Sequence, residues 1–125
     1  MDQPADVLVI DDEEDARLIV KLALEKAMGL TVEEAFNGEE GLEIVRARPP
    51  RLIILDLTMP GMNGAEFLAQ LRSEPDIAHI PVIVFTARFI TEELADQIGV
   101  PSYAILRKGS LRVEQLRSVV QDILA

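Results

Sequence analysis

The run Leu52-Ile53-Ile54-Leu55 contains no polar residue and stops at Asp56. A strand with one wet face alternates apolar with polar residues. An unbroken apolar run of strand length belongs instead to a strand covered on both sides, as in the middle of a helix-flanked parallel sheet. Val7-Leu8-Val9-Ile10 is a second such run, and residues 81–85 make a third. Between these runs lie amphipathic segments, so strand and helix patterns alternate along the chain as in successive βαβ units. Hydrophobic residues make up 49% of the sequence and aromatic ones only 4%, so Leu, Ile, Val and Ala must fill the core. These features predict an α/β fold, a doubly wound parallel sheet of five strands with five helices.

Strands are expected at residues 7–10, 30–35, 52–55, 81–85 and 103–106, the second being charged enough to lie at an edge. Ala16, Ile19, Val20, Ala23, Leu24 and Ala27 recur at helical spacing and predict the first helix, ended by Met28-Gly29. Further helices are expected at residues 38–47, stopped by Pro49-Pro50, then at 65–71, 91–98 and 111–124. Leu116, Val119, Val120 and Ile123 should turn inward from the last. A length of 125 residues suits one domain spanning residues 1–125.

Charge and composition narrow the function. With 22 acidic and 12 basic residues the net charge is −10, which opposes binding to phosphate backbones or anionic lipid. No apolar run approaches the ~20 residues needed to span a bilayer. The start Met1-Asp2-Gln3-Pro4 has neither a basic cluster nor an apolar stretch of the export type. There is no cysteine, and His79 is the single histidine, so thiolate chemistry and His-rich metal clusters are excluded. A soluble cytoplasmic protein without direct nucleic-acid or membrane contacts is expected.

In such a sheet the ligand crevice lies beyond the carboxyl ends of the strands. The residues there are Asp11 and Asp12 after the first strand, Asp56 after the third, Thr86 after the fourth and Lys108 after the fifth. Singly, each has an ordinary explanation. Asp11-Asp12 would serve as a turn and helix cap, with Glu13, Glu14 and Asp15 alongside; Asp56 would form a turn, Thr86 a cap and Lys108 a surface charge. Jointly they place three acids, a hydroxyl and an ammonium around one pocket. Carboxylates about 5 Å apart repel by roughly 3 kcal/mol per pair at an effective dielectric near 20, which calls for a cation. Oxygen ligands without His or Cys favour Mg²⁺. Such an ion would screen Asp56 from an anionic phosphoryl group, with Lys108 and Thr86 suited to the oxygens of an acyl phosphate formed on Asp56.

These residues resemble the receiver domains of two-component response regulators, a flavodoxin-like family that includes the chemotaxis regulator. Asp11, Asp12, Asp56, Thr86 and Lys108 keep that family's spacings. The segment Asp56-Leu57-Thr58-Met59-Pro60-Gly61-Met62-Asn63-Gly64 is similar to its loop after the phosphoacceptor. The resemblance implies strand order 2-1-3-4-5 and Mg²⁺ held by Asp12, Asp56 and the backbone carbonyl of Thr58, with Asp11 acting largely through water. It implies phosphotransfer to Asp56 from a histidine kinase or a histidine phosphotransfer protein, assisted by the receiver itself, which is otherwise no enzyme. It also implies that Thr86 and Lys108 contact the phosphoryl group. Output to an unknown partner, and possible homodimer formation, would use the fourth helix, fifth strand and fifth helix. Arg107, Arg112 and Arg117 on that face read equally well as solvated charges.

Two positions depart from the pattern. Ile105 stands where the family usually has an aromatic ring, with Tyr103 two residues earlier on the expected strand as a substitute. Gly109 stands where it commonly has a cis proline, so a trans bond is expected after Lys108. Thr58 and Arg88 occupy positions that tune hydrolysis of the acyl phosphate in the family. An aspartyl-phosphate hydrolase would want Asp at position 58, and a flavodoxin would want Ser, Thr and Gly after the first strand. The alternative within the family is a degenerate receiver serving as a constitutive interaction module. The chain ends with its fifth helix, so no output module is expected within it.

Overall fold

The computed structural model describes residues 3–109 and 112–125. The strands are β1 (Val7–Ile10), β2 (Val32–Ala35), β3 (Leu52–Leu55), β4 (Val82–Thr86) and β5 (Ile105–Arg107). The helices are α1 (Glu14–Lys21), α2 (Gly38–Ala47), α3 (Gly64–Ser73), α4 (Glu92–Ile98) and α5 (Val113–Leu124). All strand pairs are parallel, in the order β2-β1-β3-β4-β5. Every residue of β1, β3 and β4 is buried, which is why those segments are apolar throughout. β2 and β5 are the edges, and the charged Glu33 and Glu34 of β2 stay half-exposed there. The π-helical turn Leu22–Lys26 that continues α1 meets α5, while α2 packs on α3 and α3 on α4, so helices cover both faces.

Local sequence sets the helix starts. The Asn37 side chain accepts from the Glu40 amide at 2.8 Å, and Asn63 and Glu66 cap α3 reciprocally at 2.9 and 3.1 Å. Thr91 caps α4 through the Leu94 amide. A Cβ on Gly41 would lie 2.5 Å from Ile10 Cδ1, so its absence lets α2 settle against β1.

Several boundaries differ from the sequence reading. The first helix passes into a π-helical turn over Leu22–Lys26 before Gly29 ends it at φ 66°. Of its expected apolar stripe, Ala16, Val20, Ala23 and Leu24 are buried, but Ile19 and Ala27 face outward. Tyr103 lies in a 3-10 turn, Ser102–Ala104, and not on β5; it is 62% exposed. Pro101, which has no amide hydrogen to donate, accepts the Ala104 amide and closes that turn, delaying the strand to Ile105. The peptide bond after Lys108 is trans, as expected. On α5, Leu116 and Val120 are buried and Val119 and Ile123 pack partly against the core. The expected start of that helix at Leu111, like Met1-Asp2, lies outside the described residues.

Candidate functional site

Parallel register assembles the site. Ile10 pairs with Leu55, so the next residues, Asp11 and Asp56, emerge side by side at the carboxyl edge. The ladder continues one step further: the Asp56 amide donates to Ile10 O at 3.0 Å and the Asp11 amide to Ala35 O at 3.1 Å. At the other strand ends, the Lys108 amide donates to Thr86 O at 2.9 Å. Asp11, Asp56 and Thr86 are 1%, 4% and 0% exposed, whereas Asp12 is exposed at the mouth.

Each buried carboxylate is aimed by a local turn. Asp11 Oδ1 accepts the Glu13 amide at 2.9 Å, and Asp56 Oδ1 accepts the Thr58 amide at 3.2 Å. That leaves both Oδ2 atoms facing Lys108, whose Nζ lies 2.8 Å from Asp11 and 3.4 Å from Asp56. Glu13 reaches the same ammonium from outside at 2.6 Å. Thr86 Oγ1 accepts the Arg88 amide at 3.2 Å, orienting the start of the loop after β4. Gly64 holds the loop after β3 close: a Cβ there would lie 2.6 Å from both Asp56 O and Leu57 Cα.

The electrostatics follow from burial and pairing. Desolvation raises the Asp11 pKa above the ordinary aspartate value, against the opposing pull of Lys108. Burial likewise disfavours the Lys108 charge, but hydrogen bonds to Asp11 and Glu13 outweigh it, so its pKa stands above the usual lysine range. One carboxylate oxygen each from Asp11, Asp12 and Asp56 lie within 4.8 Å of one another. One ammonium against three carboxylates leaves a surplus of negative charge in a nest of hard oxygen donors. That donor set fits Mg²⁺.

The adjoining cavity, about 450 Å³, is lined by Asp12, Glu13, Asp56, Thr58, Ala87, Arg88 and Lys108. Thus Asp11, Asp12, Asp56 and Lys108 converge and Thr58 and Arg88 form the rim, while Thr86, buried at the end of β4, is joined to the cluster through its carbonyl and the Lys108 amide and does not line the cavity. Ile105 is elsewhere: it lines a separate groove of about 220 Å³ with Phe89, Ile90, Thr91, Glu92, Ala95 and Arg107. Tyr103 lies by another cavity, with Arg72, His79 and Asp122, and makes no part of the cluster.

Two residues were not singled out from the sequence. Glu13 was read only as part of a solvated turn, since nothing local reveals a partner 95 residues away. Arg17 is buried and reaches the Asp11 carbonyl. The available signal was its position three before Val20 and seven before Leu24, on the buried face of α1.

The family described as the response regulator receiver domain matches residues 7–121. The gliding motility regulatory protein of Myxococcus xanthus is 37% identical over 117 residues, covering 94% of this chain and 15% of that protein. The nitrate/nitrite response regulator protein NarL of Escherichia coli is 48% identical over 73 residues, covering 58% of this chain and 34% of that one. The chain therefore spans about a third or less of these two relatives. Among solved structures, the chemotaxis protein CheY4 of Vibrio cholerae superposes with a TM-score of 0.83 at 29% identity, covering 96% of this chain and 98% of that one. Among the described residues no helix is long and apolar enough to cross a membrane.

Proposed function

The chain belongs to the response-regulator receiver family of two-component signalling, and we propose that it works as a phosphorylation switch whose phosphoacceptor is Asp56. The observation carrying this reading is a buried Asp56 carboxylate with one oxygen tied by the Thr58 amide and the other 3.4 Å from Lys108, inside a three-carboxylate cluster. Receiver domains are phosphoacceptor switches and generally bind Mg²⁺ at an acidic pocket of this kind.

Asp56 Oδ2 is the nucleophile, because Oδ1 is engaged by the backbone. It attacks the phosphorus of a phosphohistidine on a histidine kinase or phosphotransfer protein. The O–P bond forms as the P–N bond breaks, and the departing imidazole takes a proton from solvent. Lys108 swings from Asp56 toward the new phosphoryl oxygens, while Thr86, already at the strand end, offers its hydroxyl. Asp12, Asp56 and the Thr58 carbonyl would hold the Mg²⁺, with Asp11 acting through water; when bound, the ion supplies charge neutralisation on the transferring oxygens. Arg88 and Thr58, on the rim, control the approach of hydrolytic water. Output passes to a partner, or a second copy, through α4, β5 and α5 in the cytoplasm.

The degenerate alternative is favoured by Ile105, which lines the α4–β5 groove with no ring to swing. One experiment separates the two. Wild type and Asp56→Asn are treated with Mg²⁺ and acetyl phosphate or beryllofluoride, and amide shifts are followed by NMR. Shifts around Asp12, Asp56, Thr86 and Lys108 that vanish in Asp56→Asn are the expected result. A well-dispersed wild-type spectrum that does not respond would sink the switch and leave a constitutive interaction module.

A further inference from the structure

Arg17 is a long, permanently charged side chain left only 7% exposed on a small domain, and burial of that kind calls for a paired and hydrogen-bonded guanidinium. Its Nε donates to Glu34 Oε1 on β2 at 3.0 Å, and its Nη1 donates to the backbone carbonyl of Asp11 at 2.7 Å. The guanidinium also lies 4.6 Å from the centre of the Phe36 ring. Glu34 is itself held from its other oxygen by Lys21 at 3.3 Å. The fork therefore bridges an edge strand to one chosen peptide group.

That peptide group is the one joining Asp11 to Asp12. Its plane sets ψ of Asp11 and φ of Asp12, and so the direction in which the exposed Asp12 carboxylate leaves the chain. The rest of the turn is secured independently: the Asp11 amide by Ala35 O, the Asp11 carboxylate by the Glu13 amide and Lys108, and the Glu13 carbonyl by the Arg17 amide at 3.2 Å. The Asp11 carbonyl is fixed by Arg17.

We propose that Arg17 is a positioning residue for the cation site: by clamping the peptide between Asp11 and Asp12 it holds Asp12 where, with Asp56, it can ligate Mg²⁺. This rests on the reading of the carboxylate cluster as a Mg²⁺ site. It differs from a merely structural role in the sign of one measurement. Removing a cation close to an acidic site should, by charge alone, strengthen binding of a second cation. Loss of positioning weakens it.

The test is a Mg²⁺ titration, followed by calorimetry and amide shifts, of wild type, Arg17→Met, Arg17→Lys and Val45→Ala, with urea unfolding of each. Arg17→Met keeps the apolar reach, and Lys21 remains for Glu34. Supporting partners of metal ligands are typically worth 10- to 100-fold in affinity, so Arg17→Met should bind Mg²⁺ about tenfold more weakly. Arg17→Lys keeps the charge but reaches the carbonyl or Glu34, not both, and should recover part of the loss. Val45→Ala, a core truncation in α2, should lose stability and keep its Mg²⁺ affinity. Unchanged or tighter binding in Arg17→Met would overturn the proposal. Should Arg17→Met fail to fold, Arg17→Lys decides by itself: weaker binding supports the clamp and unchanged binding overturns it. A wild type that binds no Mg²⁺ would remove the site reading first and the clamp with it, a result distinct from a wild type that binds and an Arg17 variant that binds equally.

Discussion

Replacing Lys108 by Met leaves the carboxylate cluster without its ammonium. The Lys108 side chain is 13% exposed and the side chains of its two inner partners, Asp11 and Asp56, are 2% and 4% exposed, so solvent screens these contacts little. At an effective dielectric near 20, pairs at 2.8 and 3.4 Å are worth roughly 6 and 5 kcal/mol before desolvation. Desolvation takes back several kcal/mol per ion, and breaking one partner out of a buried pair typically costs ~3–5 kcal/mol. The outer contact to Glu13, which is largely exposed, adds little. Burial already raises the Asp11 pKa, and the substitution removes the Lys108 contact that opposes that rise. The expected loss is about 3 kcal/mol in Mg²⁺-free buffer, a fall of roughly 2 M in urea midpoint for a slope near 1.5 kcal/mol/M. Far-ultraviolet circular dichroism reads it. Mg²⁺ at ten times its dissociation constant should return about 1.4 kcal/mol, and should stabilise the variant more than wild type, whose ammonium competes for the same oxygens. Because the folded pKa of Lys108 is raised, its contribution is complete below the ordinary lysine value and is lost only as pH rises beyond it. An unchanged midpoint without Mg²⁺, or a loss that Mg²⁺ does not reduce, would refute the reasoning.

Three further outcomes are expected. Gly64→Ala forces a methyl against two backbone groups of the loop after β3 and should cost ~1–3 kcal/mol by urea unfolding while weakening Mg²⁺-induced shifts at Asp56. Asp6 accepts the Thr31 amide at 3.0 Å and hydroxyl at 3.2 Å, and that backbone hydrogen bond, foremost, holds its pKa below the usual aspartate value. Its stabilisation is present above the unfolded pKa and disappears as pH falls through the folded one, so wild type should lose midpoint between about pH 5 and pH 2 more steeply than Asp6→Asn. Glu13→Gln frees Lys108 on one side and removes a negative charge from the mouth; phosphorylation by acetyl phosphate should quicken severalfold, and a slower reaction would assign Glu13 a supporting role instead.

What was legible in the chain follows from where each residue's constraints come from. Leu52–Leu55 was bounded correctly because burial on both faces removes polar residues from the run and leaves Asp56 as its stop. Helix α2 was equally clear, expected at residues 38–47 ahead of Pro49-Pro50 and found at Gly38–Ala47. The strand-end positions of Asp11, Asp56, Thr86 and Lys108 came with the alternation itself, since a parallel sheet brings all carboxyl ends to one edge. Edges were harder to read. Tyr103 has a strand-forming side chain, but β5 pairs on one side only, so the local turn preference at Pro101 prevailed. The π turn over Leu22–Lys26 adds a residue that a 3.6-residue pattern does not register, and so Ala27 beyond it was placed inward, while Ile19, before it, lies off the buried face formed by Ala16, Arg17 and Val20. The roles of Glu13 and Arg17 depend on partners from other elements, Lys108 and Glu34, which no local spacing encodes.

The hydrogen bond from the Lys108 amide to the Thr86 carbonyl has a practical corollary. It ties together the backbone ends of β4 and β5 that carry the hydroxyl and the cation. That one backbone hydrogen is therefore a built-in gauge of the pocket. Its exchange with deuterated solvent registers how often the last rung of the sheet lets go, with no label and no substitution near the chemistry.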